Sequence, residues 1–219
     1  MFDEPLRRFK DRVGRPLADR LSGVSPLAIS ALALVIGLLA SFAAYKIHYA
    51  TALALWLLNR ILDGLDGLIA RLHHRQSDFG GYVDILTDFV VYAALPIGLV
   101  VGSPSIERYL ALSVLLASFY INAASWMYLA ALLEKRAARV AGTQTAIVMP
   151  AGIIGGFESI IAYGIFLLFP AYITALFSIF AALVFITTIQ RLIWARKNVD
   201  RYTGKQVETE HATRSIHPS

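Results

Sequence analysis

The chain has 219 residues, of which 57% are hydrophobic and 16% are charged, whereas a soluble domain typically has about 25% charged residues. This composition excludes an ordinary soluble protein and favours a single compact domain in a membrane. The absence of Cys excludes disulfides, thiolate metal ligands and cysteine nucleophiles. The net charge of +5 fits a surface that faces anionic lipid headgroups better than one that binds nucleic acid. We therefore expect membrane lipids as partners and no nucleic acid.

The first 22 residues combine basic side chains with apolar ones that recur every three or four positions. This spacing predicts an amphipathic helix over residues 1–22 that lies at the membrane interface. Ser25 and Pro26 follow, and they suit the N-cap and the first position of a helix. The first transmembrane helix is therefore expected to begin here.

Six apolar runs follow, each close to the roughly 20 residues that cross a bilayer. They cover residues 26–45, 49–72, 82–101, 108–133, 148–169 and 171–195. The sequence thus predicts an all-α polytopic membrane protein, with six transmembrane helices in a catalytic domain over residues 23–197. Residues 198–219 are polar and aperiodic, which predicts a flexible tail.

The distribution of Lys and Arg predicts the orientation in the membrane. Most of the 20 basic residues lie at the two ends of the chain or in the loops after the second and fourth runs, whereas Lys46 and Arg108 lie in the opposite loops. Because cytoplasmic loops carry the excess of positive charge, we expect both termini and these two loops to be cytoplasmic.

Four acids flank the loop between the second and third runs. Asp63 and Asp66 are three residues apart, and Asp84 and Asp88 are four apart, so each pair lies on one face of a helix. A single pair could be a helix cap or an arginine partner. Two pairs on neighbouring helices favour a bound cation instead, because carboxylates within a membrane are costly unless paired or metal-bound.

Ligands that are all carboxylates favour Mg²⁺ or Mn²⁺ over Zn²⁺, and four of them are enough for two divalent ions. Two such ions can hold a pyrophosphate and stabilise a departing phosphate oxygen. The acids are interleaved with small residues, which leave room for a ligand against the backbone. The pattern therefore indicates phosphoryl-transfer chemistry at the cytoplasmic face.

The segment from Asp63 to Asp88 resembles the signature of the CDP-alcohol phosphatidyltransferase family. Asp63-Gly64-Leu65-Asp66-Gly67-Leu68-Ile69-Ala70-Arg71 is followed, after eight residues, by Gly80 and then by Asp84 and Asp88. The resemblance implies that a metal pair is bound by Asp63, Asp66, Asp84 and Asp88, and that Asp88 is the general base. It also implies a homodimer, and a CDP pocket lined by Gly67, Ala70, Arg71 and Gly80.

The expected reaction moves a substituted phosphate from a CDP-linked donor such as CDP-diacylglycerol to an alcohol and releases CMP. The sequence does not identify the alcohol. An anionic acceptor such as a phosphorylated polyol would suit the basic side chains outside the motif, and the basic candidate contacts are Lys135, Arg139 and Arg191. Glu158 is a further candidate, because an acid in the apolar fifth run should face a cavity or a partner. The basic ones would equally serve as membrane anchors.

Two other classes of function use the same acids. A small transporter could move divalent cations or protons along them, although they cluster near one face and no matching half-repeat is seen. A scaffold without catalysis would tolerate their substitution. Metal-dependent release of CMP separates the enzyme from both.

Overall fold

The computed structural model describes residues 15–16, 18–21, 23–139 and 152–216. Every regular element within these residues is helical. The helices are α1 (Pro26–Tyr45), α2 (Tyr49–Leu72), α3 (Asp78–Gly102), α4 (Ile106–Arg139), α5 (Gly156–Leu168) and α6 (Ile173–Ile216), with a 3-10 turn at Pro170–Tyr172. The all-α prediction is confirmed. Most of the predicted amphipathic helix, residues 1–22, lies outside the described residues.

Four described segments are long and apolar enough to cross a bilayer: Pro26–Tyr45, Asp78–Gly102, Ile106–Lys135 and Pro170–Val199. The prediction of a polytopic membrane protein is therefore confirmed. Helix α2 has the length of a span, at 24 residues, but it carries charged side chains. Helix α5 has 13 residues, about 20 Å of helix, which is shorter than a hydrocarbon core of about 30 Å. The count of six spans remains a prediction.

Helix bounds differ from the apolar runs where polar residues begin or continue a helix. Helix α3 begins at Asp78 rather than at residue 82, because the Ser77 hydroxyl caps it by accepting a hydrogen bond from the Gly80 N–H at 3.0 Å. Helix α6 continues through residues 198–216, so the predicted tail has a helical backbone there, and its flexibility remains a prediction.

The fifth run was predicted to be helical from residue 148. Residues 148–151 lie outside the described part of the chain, and residues 152–155 are not helical. A Cβ atom on Gly152 would overlap the side chain of Thr187. This tight contact agrees with the role in close packing that a glycine-rich patch often has in membrane proteins.

The chain divides into two compact units, which is finer than the single transmembrane domain expected from composition. The first unit comprises the described residues of Met1–Leu116 and Gly156–Ile179, and the second those of Ala117–Gly155 and Phe180–Ser219. All four motif acids belong to the first unit. The predicted domain bounds remain a prediction.

Helices α1 and α3 pack closely in the first unit because small residues line their contact. A Cβ atom on Gly98 would overlap the Ser41 carbonyl oxygen, and one on Gly102 would lie 2.5 Å from the Tyr45 carbonyl oxygen. The Ser41 hydroxyl donates a hydrogen bond of 2.6 Å to the Ala94 carbonyl. The backbones therefore approach each other as in small-xxx-small helix pairs.

Candidate active site

The four motif acids come together where α2 ends and α3 begins. Asp63 interacts electrostatically with the carboxylates of Asp66, Asp84 and Asp88. Asp66 is buried, with 4% of its surface exposed, whereas the side chains of Asp63 and Asp88 are 27% and 34% exposed. The fold thus brings together the two acid pairs that the spacing placed on separate helix faces.

A serine from α1, which the sequence analysis missed, orients one of these acids. The Ser30 hydroxyl lies 2.5 Å from Asp66 Oδ2 and donates a hydrogen bond to it. Ser30 itself is 5% exposed. A polar residue within the first apolar run was the available signal, but its partner lies 36 positions away.

An arginine was also missed. Arg60 lies one turn before Asp63 on α2, and its Nη1 is 3.7 Å from Asp63 Oδ2 and 2.9 Å from Asp88 Oδ1. The residue is 9% exposed. A basic residue three positions from an acid in an apolar helix was the signal, because such a charge requires a partner.

A cavity of about 370 Å³ opens beside the acids within the first unit. Its walls include two of the acids, Asp66 and Asp84, together with the cap Ser77. They also include all four residues predicted to bind the nucleotide, which are Gly67, Ala70, Arg71 and Gly80. The predicted nucleotide contacts therefore surround one space with polar and positively charged groups in its wall, which suits a phosphate-bearing ligand.

Two glycines shape this cavity in different ways. A Cβ atom on Gly67 would lie 3.2 Å from Arg71 Nη1, so the glycine leaves room for the guanidinium. A Cβ atom on Gly81 would meet nothing within 4 Å. The backbone of α3 is therefore open toward the cavity, where a ligand can lie against it.

The donor set fits a divalent cation, since four carboxylates from two adjacent helices are hard oxygen ligands. In the orientations of the described side chains, no three of the Asp, Glu and His residues converge closely enough to enclose a metal ion. Arg60 pairs with Asp63 and Asp88, and Ser30 bonds Asp66. Binding of one metal ion by three or more of these acids therefore requires some of the carboxylates to change orientation.

The candidate acceptor contacts fall in different parts of the fold. Glu158 lies half-buried in the first turn of α5, in the first unit. Lys135 is exposed near the end of α4, and the Arg139 side chain lies outside those described. Arg191 is buried in the second unit, where its Nη1 donates to the Asn122 side-chain oxygen at 2.9 Å and to the Asn122 carbonyl at 3.1 Å. Their roles toward an acceptor remain predictions.

Residues 23–194 match the CDP-alcohol phosphatidyltransferase family. The chain belongs to this family. The match covers the motif, the cavity and most of the described helices, so the resemblance carried by 26 residues extends over the greater part of the chain.

Relatives in the CDP-alcohol phosphatidyltransferase family match along most of their length. The chain is 34% identical over 174 residues to the inner membrane protein YnjF of Escherichia coli (strain K12), which covers 79% of this chain and 83% of that protein. It is also 29% identical over 190 residues to the archaetidylinositol phosphate synthase of Pyrococcus horikoshii. This alignment covers 87% of this chain and 92% of that protein.

Solved structures of one enzyme share the fold. The phosphatidylinositol phosphate synthase PgsA1 of Mycobacterium tuberculosis with CDP-DAG bound has a TM-score of 0.63 at 18% identity, over 83% of this chain and 92% of that one. The same enzyme with manganese and citrate has a TM-score of 0.62 at 18% identity, over 82% and 87%. At this identity the likeness establishes the fold of the family.

Proposed function

We propose that this protein transfers a substituted phosphate from a CDP-linked lipid to an alcohol and releases CMP. The observation that carries the proposal is the cavity, whose wall combines the predicted nucleotide contacts with two of the four acids. The family supports the same class of reaction. The donor that we favour is CDP-DAG, which is bound by the phosphatidylinositol phosphate synthase of similar fold.

The residues that would hold a pair of divalent metals are Asp63, Asp66, Asp84 and Asp88. Bound there, Mg²⁺ or Mn²⁺ would neutralise the pyrophosphate of the donor and the charge that develops on the leaving CMP. Manganese in a structure of similar fold and the all-oxygen donor set support divalent ions. Arg71 adds a positive charge to the cavity wall, where it can bind phosphate oxygens.

Asp88 is the proposed general base. It would accept the proton of the alcohol as the alcohol oxygen attacks the phosphorus that carries the lipid. A new phosphorus–oxygen bond forms, the bond from that phosphorus to the CMP oxygen breaks, and CMP leaves with the electron pair. Arg60 holds Asp88 through Oδ1 at 2.9 Å, which fixes the carboxylate in position before the acceptor binds.

The acceptor that we favour is a phosphorylated polyol. Two proteins of similar sequence or fold are named as synthases of an inositol phosphate lipid, and an anionic acceptor agrees with the basic candidates Lys135, Arg139 and Arg191. Arg191 is buried beside an amide rather than a carboxylate among the described residues. Its positive charge is therefore available to an anion.

The reaction is tested with purified protein in detergent, CDP-diacylglycerol and separate acceptors. The panel is inositol phosphate, glycerol phosphate, serine and a lipid alcohol, each with Mg²⁺, with Mn²⁺ and with EDTA. We expect CMP release that requires the metal and is fastest with inositol phosphate. A transporter or a scaffold would release none, and release with serine alone would overturn the proposed acceptor.

A matched pair of variants links this activity to the acids. Asp84→Asn removes a motif acid, and Asp78→Asn removes an exposed acid of the same helix that lies outside the cavity wall. We expect the first to abolish CMP release and the second to retain it. Equal activity of the two would mean that the acids have no role in the reaction.

We also propose that both termini and the acid cluster are cytoplasmic, and that the protein forms a homodimer as its family resemblance implies. Because the chain has no Cys, single cysteines report the orientation without background. A membrane-impermeant maleimide on intact cells should label His48→Cys, between α1 and α2, and leave Gln76→Cys, between α2 and α3, unlabelled. Mass photometry of the purified protein measures the dimer.

A further inference from the structure

Arg60 is a buried, permanently charged group whose partners are acids assigned above to metal binding. Its side chain is 7% exposed, and its Nη1 lies 2.9 Å from Asp88 Oδ1 and 3.7 Å from Asp63 Oδ2. It therefore links a carboxylate of α2 to one of α3. Since an arginine does not lose its proton in a protein, its positive charge beside the acids is permanent.

Aromatic rings also contact the guanidinium. Arg60 Cζ lies 4.7 Å from the centre of the Trp56 ring and 5.1 Å from that of Tyr92. Trp56 stacks on Tyr163 of α5, with 5.1 Å between ring centres. These contacts are in the range of cation–π and aromatic pair interactions. Trp56 and Tyr92 thus form an aromatic cage around the charge.

The position of Tyr92 is itself secured at its carbonyl, which accepts no helix hydrogen bond from residue 96. Pro96 lies inside α3 and has no N–H for the carbonyl four residues before it, which is that of Tyr92. The Tyr163 hydroxyl donates a hydrogen bond to this carbonyl instead. Helix α5 is thereby tied to the part of α3 that carries one wall of the cage.

The orientation of the guanidinium is also fixed from α1. Arg60 Nε donates to the Asn59 side-chain oxygen at 2.7 Å, and the Asn59 amide nitrogen donates to the Ala33 carbonyl at 2.7 Å. Asn59 is 1% exposed. Contacts from α1, α2, α3 and α5 thus determine where this positive charge lies, which is more than packing an arginine stem would need.

We propose that Arg60 is a positioning residue that acts as the resident counter-cation of the acid cluster. It holds Asp63 and Asp88 when no metal is bound, and it competes with the metals for these two carboxylates. The inference rests on the proposed metal site. The charge of Arg60, which the chain itself supplies, offsets the mutual repulsion of Asp63 and Asp88.

The two roles predict opposite effects when the charge is removed. Without Arg60 a divalent ion would meet the carboxylates free of a competing positive charge, so metal binding should tighten. Asp88 would at the same time lose its anchor, so turnover should slow. A residue that only fills space predicts neither effect, because its loss lowers stability equally with and without metal.

The test uses the full chain in detergent with Mn²⁺ alone as the probe, read by electron paramagnetic resonance of the free ion. Arg60→Met removes the charge and keeps much of the stem, and Arg60→Lys keeps the charge. Arg108→Met is the matched control, because that arginine donates to the Ser103 carbonyl at 2.8 Å, away from the acids. Thermal unfolding with and without Mn²⁺ and kcat complete the measurements.

We expect Arg60→Met to bind Mn²⁺ about tenfold more tightly than the unaltered protein, by the removal of a like charge a few ångströms away. Its Tm should fall without metal and recover more on adding Mn²⁺, as linkage between binding and folding requires. Its kcat should fall at least tenfold. Arg60→Lys should bind Mn²⁺ within about twofold of the unaltered protein, and Arg108→Met should match it throughout.

Unchanged or weaker Mn²⁺ binding by Arg60→Met would overturn the inference, as would an equal loss of Tm with and without Mn²⁺. If Arg60→Met does not fold, Arg60→Lys still decides, because tenfold tighter binding with the charge retained contradicts competition by charge. If the unaltered protein binds no Mn²⁺, the proposed metal site fails. If the unaltered protein binds Mn²⁺ and the Arg60 variants bind it equally well, the proposed metal site stands and only the role of Arg60 as counter-cation is rejected.

Discussion

Glycines of α3 have opposite effects at the two ends of the helix group α1–α3. Where α1 ends, Gly98 and Gly102 of α3 bring its backbone against the carbonyl oxygens of Ser41 and Tyr45. Where α1 begins, Gly81 of α3 has nothing within 4 Å of its absent side chain and lines a cavity. One end is closed by backbone contact, whereas the other keeps space beside charged groups.

This difference teaches how a membrane protein can hold a polar site. The closed end gains dispersion contacts and the hydrogen bond from Ser41 to Ala94, which stabilise helix association in lipid. The open end carries buried charges that cost free energy unless they are paired. We infer that the packing at the closed end offsets the free energy that the buried charges at the open end cost. Substitutions at each end can therefore separate effects on stability from effects on activity.

The largest expected effect comes from removing the proposed base at the open end. Asp88→Asn should lower kcat by about a hundredfold to ten-thousandfold, the usual contribution of general base catalysis, because an amide does not accept the proton of the alcohol. Binding of CDP-diacylglycerol, measured by equilibrium dialysis, should persist, because Asp88 is not part of the cavity wall. Asp78→Asn on the same helix should keep its activity. Turnover of Asp88→Asn equal to that of the unaltered protein would remove Asp88 from the mechanism.

At the closed end, Gly98→Ala should lower the free energy of unfolding and leave the kcat of the folded protein unchanged. The added Cβ would overlap the Ser41 carbonyl and lie 2.7 Å from its hydroxyl, so α1 and α3 must move apart, at about 1–3 kcal/mol of unfolding free energy. The measurement is unfolding in detergent.

The matched control for that change is Gly81→Ala, the same substitution on the same helix where no atom is within 4 Å. Its stability should stay the same or rise by up to about 1 kcal/mol, since Ala favours a helix over Gly. Its KM for the donor should rise, because the methyl group enters the cavity. A larger loss of stability for Gly81→Ala than for Gly98→Ala would contradict the contrast between the ends.

The smallest effect is expected from one hydroxyl at each end of α1. Ser30→Ala removes the hydrogen bond to Asp66 and should weaken Mn²⁺ binding about tenfold, as loss of a group that orients a metal ligand commonly does. Ser41→Ala removes the bond to Ala94 and should lower stability by about 1 kcal/mol with unchanged Mn²⁺ binding. Titration with Mn²⁺ and thermal unfolding of both variants check this, and equal Mn²⁺ affinities would count against a role for Ser30.

The acid cluster was accessible from sequence because its signal is local. Asp63 and Asp66 share one face of a helix through backbone geometry alone, and the loop to α3 is too short to separate them far from Asp84 and Asp88. The resemblance to the family rests on the same short segment, and the match over residues 23–194 confirms it. Membrane character followed from composition, since an apolar run needs no partner to be recognised.

Ser30, Arg60 and Tyr163 were missed for a different reason. Arg60 is a charge in an apolar run, but its contact with Asp88 spans two helices. The hydroxyl of Tyr163 meets the carbonyl of Tyr92, which is 71 positions away. Helix bounds set by capping, such as the start of α3 at Asp78, were also displaced from the apolar runs.

By itself, then, the order of residues determined the helical class, the membrane environment and the four acids, because periodicity and hydropathy act over one or two turns of the same helix. Tertiary structure alone decided that a caged arginine faces two of those acids, that a serine of α1 orients a third, and that one end of the group is open. These features depend on distances between side chains far apart in the chain, which only the packing of helices against one another sets.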